Sequence, residues 1–496
     1  MMKVHYPSIA LALLAGGCSW LPSVGPDYRR PEIELPEIAL PDAFAPTTNK
    51  TSTGEFAVAD TAEDRRVLVS ADSIRRWWNR FDDPVLSGLI CEAVSNNISF
   101  LMAQERLTAA RWQLVGSYAT FLPHVDASLS GVRLEQGPNT STMASSGKTM
   151  HKSVFSGGFD ATWEIDIFGG GRRATQAAWA EAEAAGWNIA DAWVSLTAEV
   201  GAQYIELRTI QQRIEVARTN LILQAETYDI LKSRLDAGIG DELAVNQSKY
   251  IVDQTHAAIP PLLAQEEKLK NALAILAGDV PGTRHGDLTA VARRNWLLEP
   301  GRIEKIPLDM IRARPDVRVA ERELAAQVAY VGVAESRWYP KLYINGAIGL
   351  ESTKSTKLFQ RDSLYGSIGP SVSWPLFQGG NIYADIKAEE AKMNEKALNY
   401  ELALHRAYGE VRDAYAAYTQ EFHRRQALEG AVQAARDAVT IAKNLYQNGL
   451  KDFTAVIDAQ RSLLSLQNEL VVSRGQITQN AISLYKALGG GVEVQE

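Results

Sequence analysis

The chain has 496 residues, of which 46% are hydrophobic and 22% charged, and its formal net charge is −8 at pH 7. This composition excludes a disordered chain, and the acidic balance gives no reason to expect a nucleic acid as partner. The length alone would suggest three or four ordinary domains. After the N-terminus the sequence has no run of about 20 apolar residues, so no transmembrane helix is predicted.

Residues 1–17 predict an export signal peptide, with a positively charged start and a short apolar core at 9–15. The following Gly16-Gly17-Cys18-Ser19 resembles a bacterial lipoprotein cleavage site, in which Cys18 becomes the lipid-bearing first residue. Ala15 stands where that motif usually has Leu, so ordinary cleavage with Cys18 as a bystander is the alternative. Ser19, rather than Asp, points to the outer membrane by the bacterial sorting rule.

Residues 18–82 predict a lipidated N-terminal arm, because they are rich in Pro, Thr and acidic groups and show little periodicity. The only other cysteine, Cys91, lies in an amphipathic helical stretch and is expected to be buried as a small hydrophobic residue. Once Cys18 is acylated, no intramolecular disulfide can form.

A helical hairpin turn occurs twice, as Arg234–Asp241 and as Leu445–Asp452, at an offset of 445 − 234 = 211 residues. Gly238 and Gly449 can supply the left-handed residue that ends a helix. The Asp three residues later can cap the next helix through its side-chain oxygen. A glycine ends each return segment after the same distance, because 278 − 238 and 489 − 449 both equal 40. These equal lengths predict an internal repeat of about 210 residues.

The first repeat is predicted at 83–278 and the second at 313–491, joined by a connector at 279–312. Each repeat is expected to hold a helix, two strands, a long helix and a return helix. The strands are identified by an apolar–polar alternation of period two. They are predicted at about 124–135, 153–167, 341–351 and 364–376.

The long helix that begins at Arg172 is predicted to run for about 65 residues, roughly 98 Å at 1.5 Å per residue. Its apolar residues from Leu207 to Leu235 cover 28 residues in eight steps, or 3.5 residues per step. This period predicts left-handed supercoiling against neighbouring helices. Two shorter helices stacked end to end match the long one, so each repeat can supply two full-length rods. The match is poorer in the second repeat, where the helix predicted at 316–338 is shorter.

Strands of this length with one apolar face suit an outer membrane, where lipid tolerates no open sheet edge. The four strands of one chain cannot close into a barrel. Two chains would give a barrel of eight strands, whose interior is filled by side chains, and three would give twelve strands with room for an aqueous lumen. The predicted fold class is an α+β membrane protein with four outer-membrane β-strands plus long coiled-coil helices per chain. Three chains form a 12-strand β-barrel continued by an α-helical barrel. A soluble coiled coil is the alternative, but it would not explain the strands.

Five segments together resemble the TolC-type outer-membrane factors, in the lipoprotein branch of tripartite multidrug efflux systems (NodT-like outer-membrane efflux lipoproteins). The resemblance covers nearly all residues from 18 to 491, and the segments are specific in this order and spacing. The segments are Gly25-Pro26-Asp27-Tyr28, Trp163-Glu164-Ile165-Asp166-Ile167-Phe168-Gly169, Ala313-Arg314-Pro315-Asp316-Val317-Arg318, Ala455-Val456-Ile457-Asp458-Ala459-Gln460-Arg461 and Leu484-Tyr485-Lys486-Ala487-Leu488-Gly489-Gly490-Gly491.

The resemblance implies a passive outer-membrane exit duct for small toxic compounds or drugs from the periplasm or an inner-membrane pump. The implied partners are two further copies in a homotrimer, a periplasmic adaptor (membrane fusion) protein, a proton-driven inner-membrane exporter and outer-membrane lipid. The implied location is the bacterial outer membrane, lipid-anchored, with a long periplasmic extension. The exit duct of a type I protein-secretion system and a periplasmic scaffold without a pore are the alternatives.

The resemblance also implies that the hairpin tips close the periplasmic end and meet the adaptor. The family's gate acid matches Asp458, while Ala244 replaces the acid of the first hairpin and Asp241 and Glu242 stand in for it. These acids have a plain alternative as helix caps and solvated charges. The expected adaptor contacts are Arg234, Leu235, Gly238, Ile239, Leu445, Gly449, Leu450, Lys451 and Asp452.

No catalytic constellation or metal site is predicted, and no cofactor is expected beyond a covalent lipid on Cys18. The seven histidines are scattered, and no Cys-His or His-Glu spacing suits zinc. Gly169-Gly170-Gly171 follows a strand and precedes a helix, but it lacks the Lys-Ser/Thr of a phosphate loop. A strand-to-helix corner is therefore expected there, and the chain is not predicted to be an enzyme.

Overall fold

The structure is a computed structural model that describes residues 22–31, 33, 38–39, 76–136, 150–283, 286, 288, 305–306 and 308–491. The predicted signal peptide and Cys18 lie outside the described residues. The chain forms two compact units, one of residues 1–32, 107–185 and 319–400 and the other of residues 33–106, 186–318 and 401–496. Each unit draws on both sequence repeats, because the long helix of each repeat contributes residues to both.

Two antiparallel sheets occur in the described part of the chain. The strands are β1 (Ile38–Ala39), β2 (His124–Gln136), β3 (Met150–Ile165), β4 (Lys305–Ile306), β5 (Lys341–Ser352) and β6 (Leu364–Ser373). Strands β1 and β4 pair in the second unit, and the other four form a sheet of order β2-β3-β5-β6 in the first unit. This four-stranded sheet has β2 and β6 as its edge strands.

The register of the four-stranded sheet brings the apolar positions of all four strands onto one face. Phe159 lies opposite Ala127 on β2 and opposite Ile348 on β5, and Leu342 lies opposite Val372 on β6. The other face is polar: the Ser130 and Ser156 hydroxyls lie 2.8 Å apart, Asn345 donates to Ser371 at 2.7 Å, and Lys341 pairs with Glu164 at 3.0 Å. The predicted division into one apolar and one polar face is therefore confirmed.

Two of the strands, β3 and β6, end earlier than the period-two pattern predicts. Strand β3 ends at Ile165 rather than at Ile167, because the Ile167 amide turns back to donate to the Ile165 carbonyl at 2.9 Å. Strand β6 ends at Ser373, two residues before Pro375, which has no amide hydrogen to continue the ladder. The apolar residues beyond these ends lie in the turns that lead into the long helices.

Helices make up most of the described chain. They are α1 (Pro84–Asn96), α2 (Ile98–Tyr118), α3 (Gly170–Asp236), α4 (Glu242–Leu276), α5 (Leu308–Arg312), α6 (Pro315–Ser336), α7 (Asn381–Gln447) and α8 (Phe453–Ala487). Helices α3 and α7 both have 67 residues, about 100 Å each. Helices α4 and α8 both have 35. The helical hairpins of the two repeats therefore have helices of equal length.

Among the described residues, no single helix is both long enough and apolar enough to cross a membrane. One bent pair, Pro84–Asn96 followed by Ile98–Phe121, meets the criteria of length and composition when its two parts are taken together.

Helix α1 is fixed in the second unit by a buried polar chain. Asp83 caps its N-terminus, accepting from the Val85 amide at 2.8 Å, and also accepts from the Tyr204 hydroxyl at 2.6 Å. Arg208 in turn donates to that hydroxyl at 2.9 Å. Burial and the hydrogen bond to Asp83 raise the pKa of Tyr204. The predicted burial of Cys91 is wrong: it is exposed, because helix α1 turns its other face, with Leu86, Leu89, Ile90 and Ala93, into the core.

The described part of the N-terminal arm is held on the first unit by charged groups. Arg173 donates to the carbonyls of Val24 at 3.0 Å and Gly25 at 2.9 Å. Arg30 pairs with the buried Glu321 at 2.5 Å. Burial alone would raise the pKa of Glu321, but hydrogen bonds from Arg30 and Arg322 outweigh burial and lower it. Residues 22–31 are therefore held against this unit by side-chain contacts.

Candidate functional site

The first hairpin tip is closed by the hydrogen bonds of a helix-ending glycine. Gly238 has φ +75°, and the amide of Ile239 donates to the Arg234 carbonyl at 3.0 Å. This is the six-to-one bond of a Schellman motif, which satisfies a carbonyl at the end of helix α3. Asp241 then caps helix α4, accepting from the Leu243 amide at 3.0 Å. The side-chain cap predicted for Asp241 is present.

The second tip repeats the helix ending but not the cap. Gly449 has φ +68°, and the Leu450 amide donates to the Leu445 carbonyl at 2.9 Å. Asp452 occupies the N-cap position of helix α8, yet its side chain accepts no capping hydrogen bond. The predicted side-chain cap is therefore wrong for Asp452. Its backbone differs from that of Asp241, with φ −71° and ψ 158° against −108° and 122°.

The first tip also needs a second glycine, which sequence reasoning missed. A Cβ built on Gly240 would lie 2.4 Å from the backbone nitrogen of Leu235, far inside van der Waals contact. The equivalent position of the second tip holds Lys451, which is exposed. The Gly-X-Gly pattern at 238–240 was the available signal for this close backbone approach.

A shared hydrophobic cluster packs the two hairpins against each other behind their tips. Its buried members come from all four hairpin helices, α3, α4, α7 and α8. They are Leu231, Ala244, Ile251, Ala442, Phe453, Val456 and Ile457. Ala244 is 2% exposed, so an acidic side chain there would be buried among apolar groups. Alanine at this position therefore fits its apolar surroundings.

Most of the predicted adaptor-contact residues are exposed at the two tips. Ile239 is 71% and Leu450 68% exposed, and both are large apolar side chains at equivalent positions of the two tips. Leu235 and Leu445 are half-buried, whereas Arg234, Lys451 and the two tip glycines are exposed. The hairpins therefore offer two apolar points surrounded by charged and polar groups.

The three predicted gate acids are exposed and separate in a single chain. Asp241 and Glu242 lie at the start of helix α4, while Asp458 lies in the second turn of helix α8. No hydrogen bond or ion pair joins Asp458 to Asp241 or Glu242, all three of which lie in the described part of the chain.

Arg461, one helical turn after Asp458, makes a contact that sequence reasoning missed. Its guanidinium lies 5.0 Å from the centre of the Tyr250 ring and donates a hydrogen bond to the Tyr250 hydroxyl. The two residues occupy equivalent positions of the two repeats, since 461 − 250 = 211. The pair therefore ties helix α4 to helix α8 close to Asp458.

The described residues contain no group of three or more His, Cys, Asp or Glu side chains arranged to hold a metal ion. Gly169 lies in the turn from the first strand pair into helix α3, and Gly170 and Gly171 begin that helix. Gly169 has φ +86°, and a Cβ there would lie 2.6 Å from the Cβ of Ser23 in the arm. These glycines serve chain geometry at a crowded corner.

Comparison with known proteins gives one family and consistent relatives. The family model described as outer membrane efflux protein matches residues 89–279 and 308–490. The chain is 29% identical over 492 residues to Nodulation protein T of Rhizobium leguminosarum bv. viciae, covering 99% of this chain and 94% of that protein. It is 27% identical over 495 residues to the toluene efflux pump outer membrane protein TtgF of Pseudomonas putida, covering 99% of this chain and 97% of that protein.

Solved structures give the same result at the level of the fold. The outer-membrane channel OprN superposes with a TM-score of 0.81 at 29% identity, covering 94% of this chain and 99% of that chain. The similarity therefore includes both the sheet and the helical hairpins.

Proposed function

The chain belongs to the outer membrane efflux protein family and is the outer-membrane part of an efflux system, and we propose that three copies form its passive exit duct. The family match confirms the predicted resemblance, and relatives named as efflux proteins favour efflux over the type I secretion alternative. The observation that carries the duct is the apolar face that runs across all four strands of the sheet. In lipid, such a face needs its edge strands paired, and three copies give a closed barrel of twelve strands with an open lumen.

The proposed partners of this duct are a periplasmic adaptor and a proton-driven inner-membrane exporter. The exposed Ile239 and Leu450, with Lys451 and Asp452 beside them, supply apolar anchors and charges for an adaptor. Apolar anchors surrounded by polar groups are the usual composition of a protein interface. The Gly238 and Gly449 turns fix the direction in which these anchors point.

We propose small toxic organic compounds as the exported class. Two relatives carry the names toluene efflux pump and solvent efflux pump outer membrane protein. The test is a susceptibility screen of a deletion strain against solvents, dyes and antibiotics, with the gene restored on a plasmid as control. Increased sensitivity to several small compounds, reversed by the plasmid, supports the proposal. Unchanged sensitivity together with loss of a secreted protein would instead support the secretion duct.

The duct itself is tested by conductance. Purified protein added to a planar bilayer is expected to give discrete current steps, because the polar sheet face would line an aqueous lumen. A protein that binds the bilayer without current steps would contradict the duct and favour the scaffold without a pore.

We propose Asp458 as a gate residue, and the substitution Asp458→Ala is expected to raise single-channel conductance and weaken block by divalent cations. Three exposed carboxylates around a narrow entrance would repel one another and attract cations. The matched control is Asp253→Ala, which removes the same charge from an exposed position on helix α4. If both variants conduct like the wild type, Asp458 is not a gate residue but a solvated charge at the tip.

We propose that Cys18 carries a lipid, which Cys18→Ser should remove. Radiolabelled palmitate is expected to enter the wild type and not the variant. Export should persist in the variant, because the strands hold the assembled protein in the membrane independently of a lipid chain. Absence of label from the wild type would show ordinary cleavage in place of lipidation.

A further inference from the structure

The end of the sheet that lies away from the helices marks where the apolar band stops. Leu350 and Leu364 are the last residue pair of β5 and β6, and both lie on the apolar face. On β3 the last apolar residue of that face is Phe155, which lies opposite Ser352. The apolar band therefore ends at Leu350 and Leu364 on β5 and β6 and two residues further out, at Phe155, on β3.

Beyond that level the same face becomes charged on the extended β2–β3 ribbon. Glu135 pairs with Arg133 at 3.5 Å and lies 3.3 Å from His151. The apolar band of a membrane barrel ends at the membrane interface, so charged groups just beyond it would lie among the lipid headgroups. In the proposed barrel, a segment at this level would lie at the headgroups of the outer leaflet.

The loop between β5 and β6, residues 353–363, lies at this level and carries an excess of positive charge. Lys354, Lys357 and Arg361 are exposed, against the single acid Asp362. No ion pair or side-chain hydrogen bond engages these three cations among the described residues. They are therefore available to an anionic partner.

The loop is compact and holds its side chains in a defined arrangement. The Lys357 carbonyl accepts from the Gln360 amide at 3.1 Å and from the Ser363 hydroxyl at 2.8 Å. Leu358 is 7% exposed and anchors the loop, whereas the adjacent Phe359 is 85% exposed. An ordered loop with one apolar side chain projecting beside three cations has the composition of a lipid-surface contact.

We propose that the 353–363 loop binds phosphate-bearing lipid of the outer leaflet. Lys354, Lys357 and Arg361 would contact the phosphates, and Phe359 would insert among the acyl chains. The charges are complementary, because clustered Lys and Arg beside a membrane-spanning segment attract anionic headgroups. The proposal rests on the proposed duct at one point, which is that this end of the sheet faces the outer surface.

The test measures the binding of diphosphoryl lipid A and of dephosphorylated lipid A to the purified protein in neutral detergent, by native mass spectrometry. The variant Lys354→Gln/Lys357→Gln/Arg361→Gln removes the charges, and Lys354→Arg/Lys357→Arg/Arg361→Lys keeps them as a matched control. The wild type and the control are expected to prefer the diphosphoryl lipid by about tenfold, and the neutral variant should lose that preference. Phe359→Ser is expected to weaken the binding of both lipids equally, by roughly tenfold.

A neutral variant that keeps the wild-type preference would overturn the proposal, as would equal binding of the two lipids to the wild type. The salt dependence of binding needs no variant. Raising the salt concentration should weaken the binding of the diphosphoryl lipid only, because salt screens charges. Conductance of the same preparations separates the two claims. Lost lipid preference with normal current steps is the result expected of the neutral variant. Lipid preference without current steps in the wild type would contradict the duct and leave the loop site in place.

Discussion

The substitution Ile368→Lys is expected to prevent the chain from assembling in the outer membrane. Ile368 lies on the apolar face of β6, opposite Gly346, and is 85% exposed in the single chain. A lysine that faces lipid costs about 2–4 kcal/mol near the bilayer midplane, and three copies would incur this cost three times. We expect the variant to be absent from outer-membrane fractions and sensitive to periplasmic proteases.

The matched control for Ile368→Lys is Ser367→Lys, which introduces the same lysine one residue earlier. Ser367 lies opposite Ala347 on the polar face, so its side chain would point into water if the proposed barrel is correct. If Ser367→Lys assembles normally and Ile368→Lys does not, the apolar face of the sheet is the one that meets lipid. The reverse pattern would mean that the polar face meets the lipid.

The substitution Gly449→Val is expected to abolish export while leaving assembly and conductance in place. Gly449 has φ +68°, a conformation that costs a residue with a Cβ about 1–2 kcal/mol and is especially unfavourable for a β-branched one. The Leu450 amide would lose its bond to the Leu445 carbonyl, and the tip would change shape. Leu450 and Lys451 would then no longer be positioned to contact the proposed adaptor.

Two controls separate this effect from a general loss of stability. Gly430→Val makes the same change inside helix α7, at an exposed position where an added Cβ meets nothing within 4 Å. Gly449→Asn keeps the turn, because Asn tolerates the left-handed conformation. We expect both controls to export normally in the susceptibility assay. Normal export by Gly449→Val would remove the second tip from the proposed adaptor contact.

The sequence predicted the parts of this fold that follow from simple periods. Alternation along the strands placed Phe159, Ile348 and Ile368 on one face, because successive strand residues point to opposite sides. A step of 3.5 residues along helix α3 predicted packing against neighbouring helices, and Leu207, Ile210 and Ile214 on that stripe are buried. Such periodic signals are averaged over many residues and so survive local irregularities.

Features that depend on one backbone angle or one distant contact could not be predicted in this way. Asp241 and Asp452 have the same spacing from their turn glycines, yet only Asp241 caps through its side chain. Arg461 finds Tyr250 only when helices α4 and α8 are packed together. Cys91 was expected to be buried on helical periodicity, but a helix has an exposed face as well. Each of these outcomes is decided by geometry that neighbouring residues in the sequence do not specify.

The central claim is that this chain supplies four strands to a barrel closed by three copies. Native mass spectrometry of the protein extracted from outer membranes in mild detergent tests it most directly. The account predicts a single species with three times the mass of the mature chain and bound lipid as the only addition. A stable monomer that retains its β-sheet signal by circular dichroism would contradict the barrel.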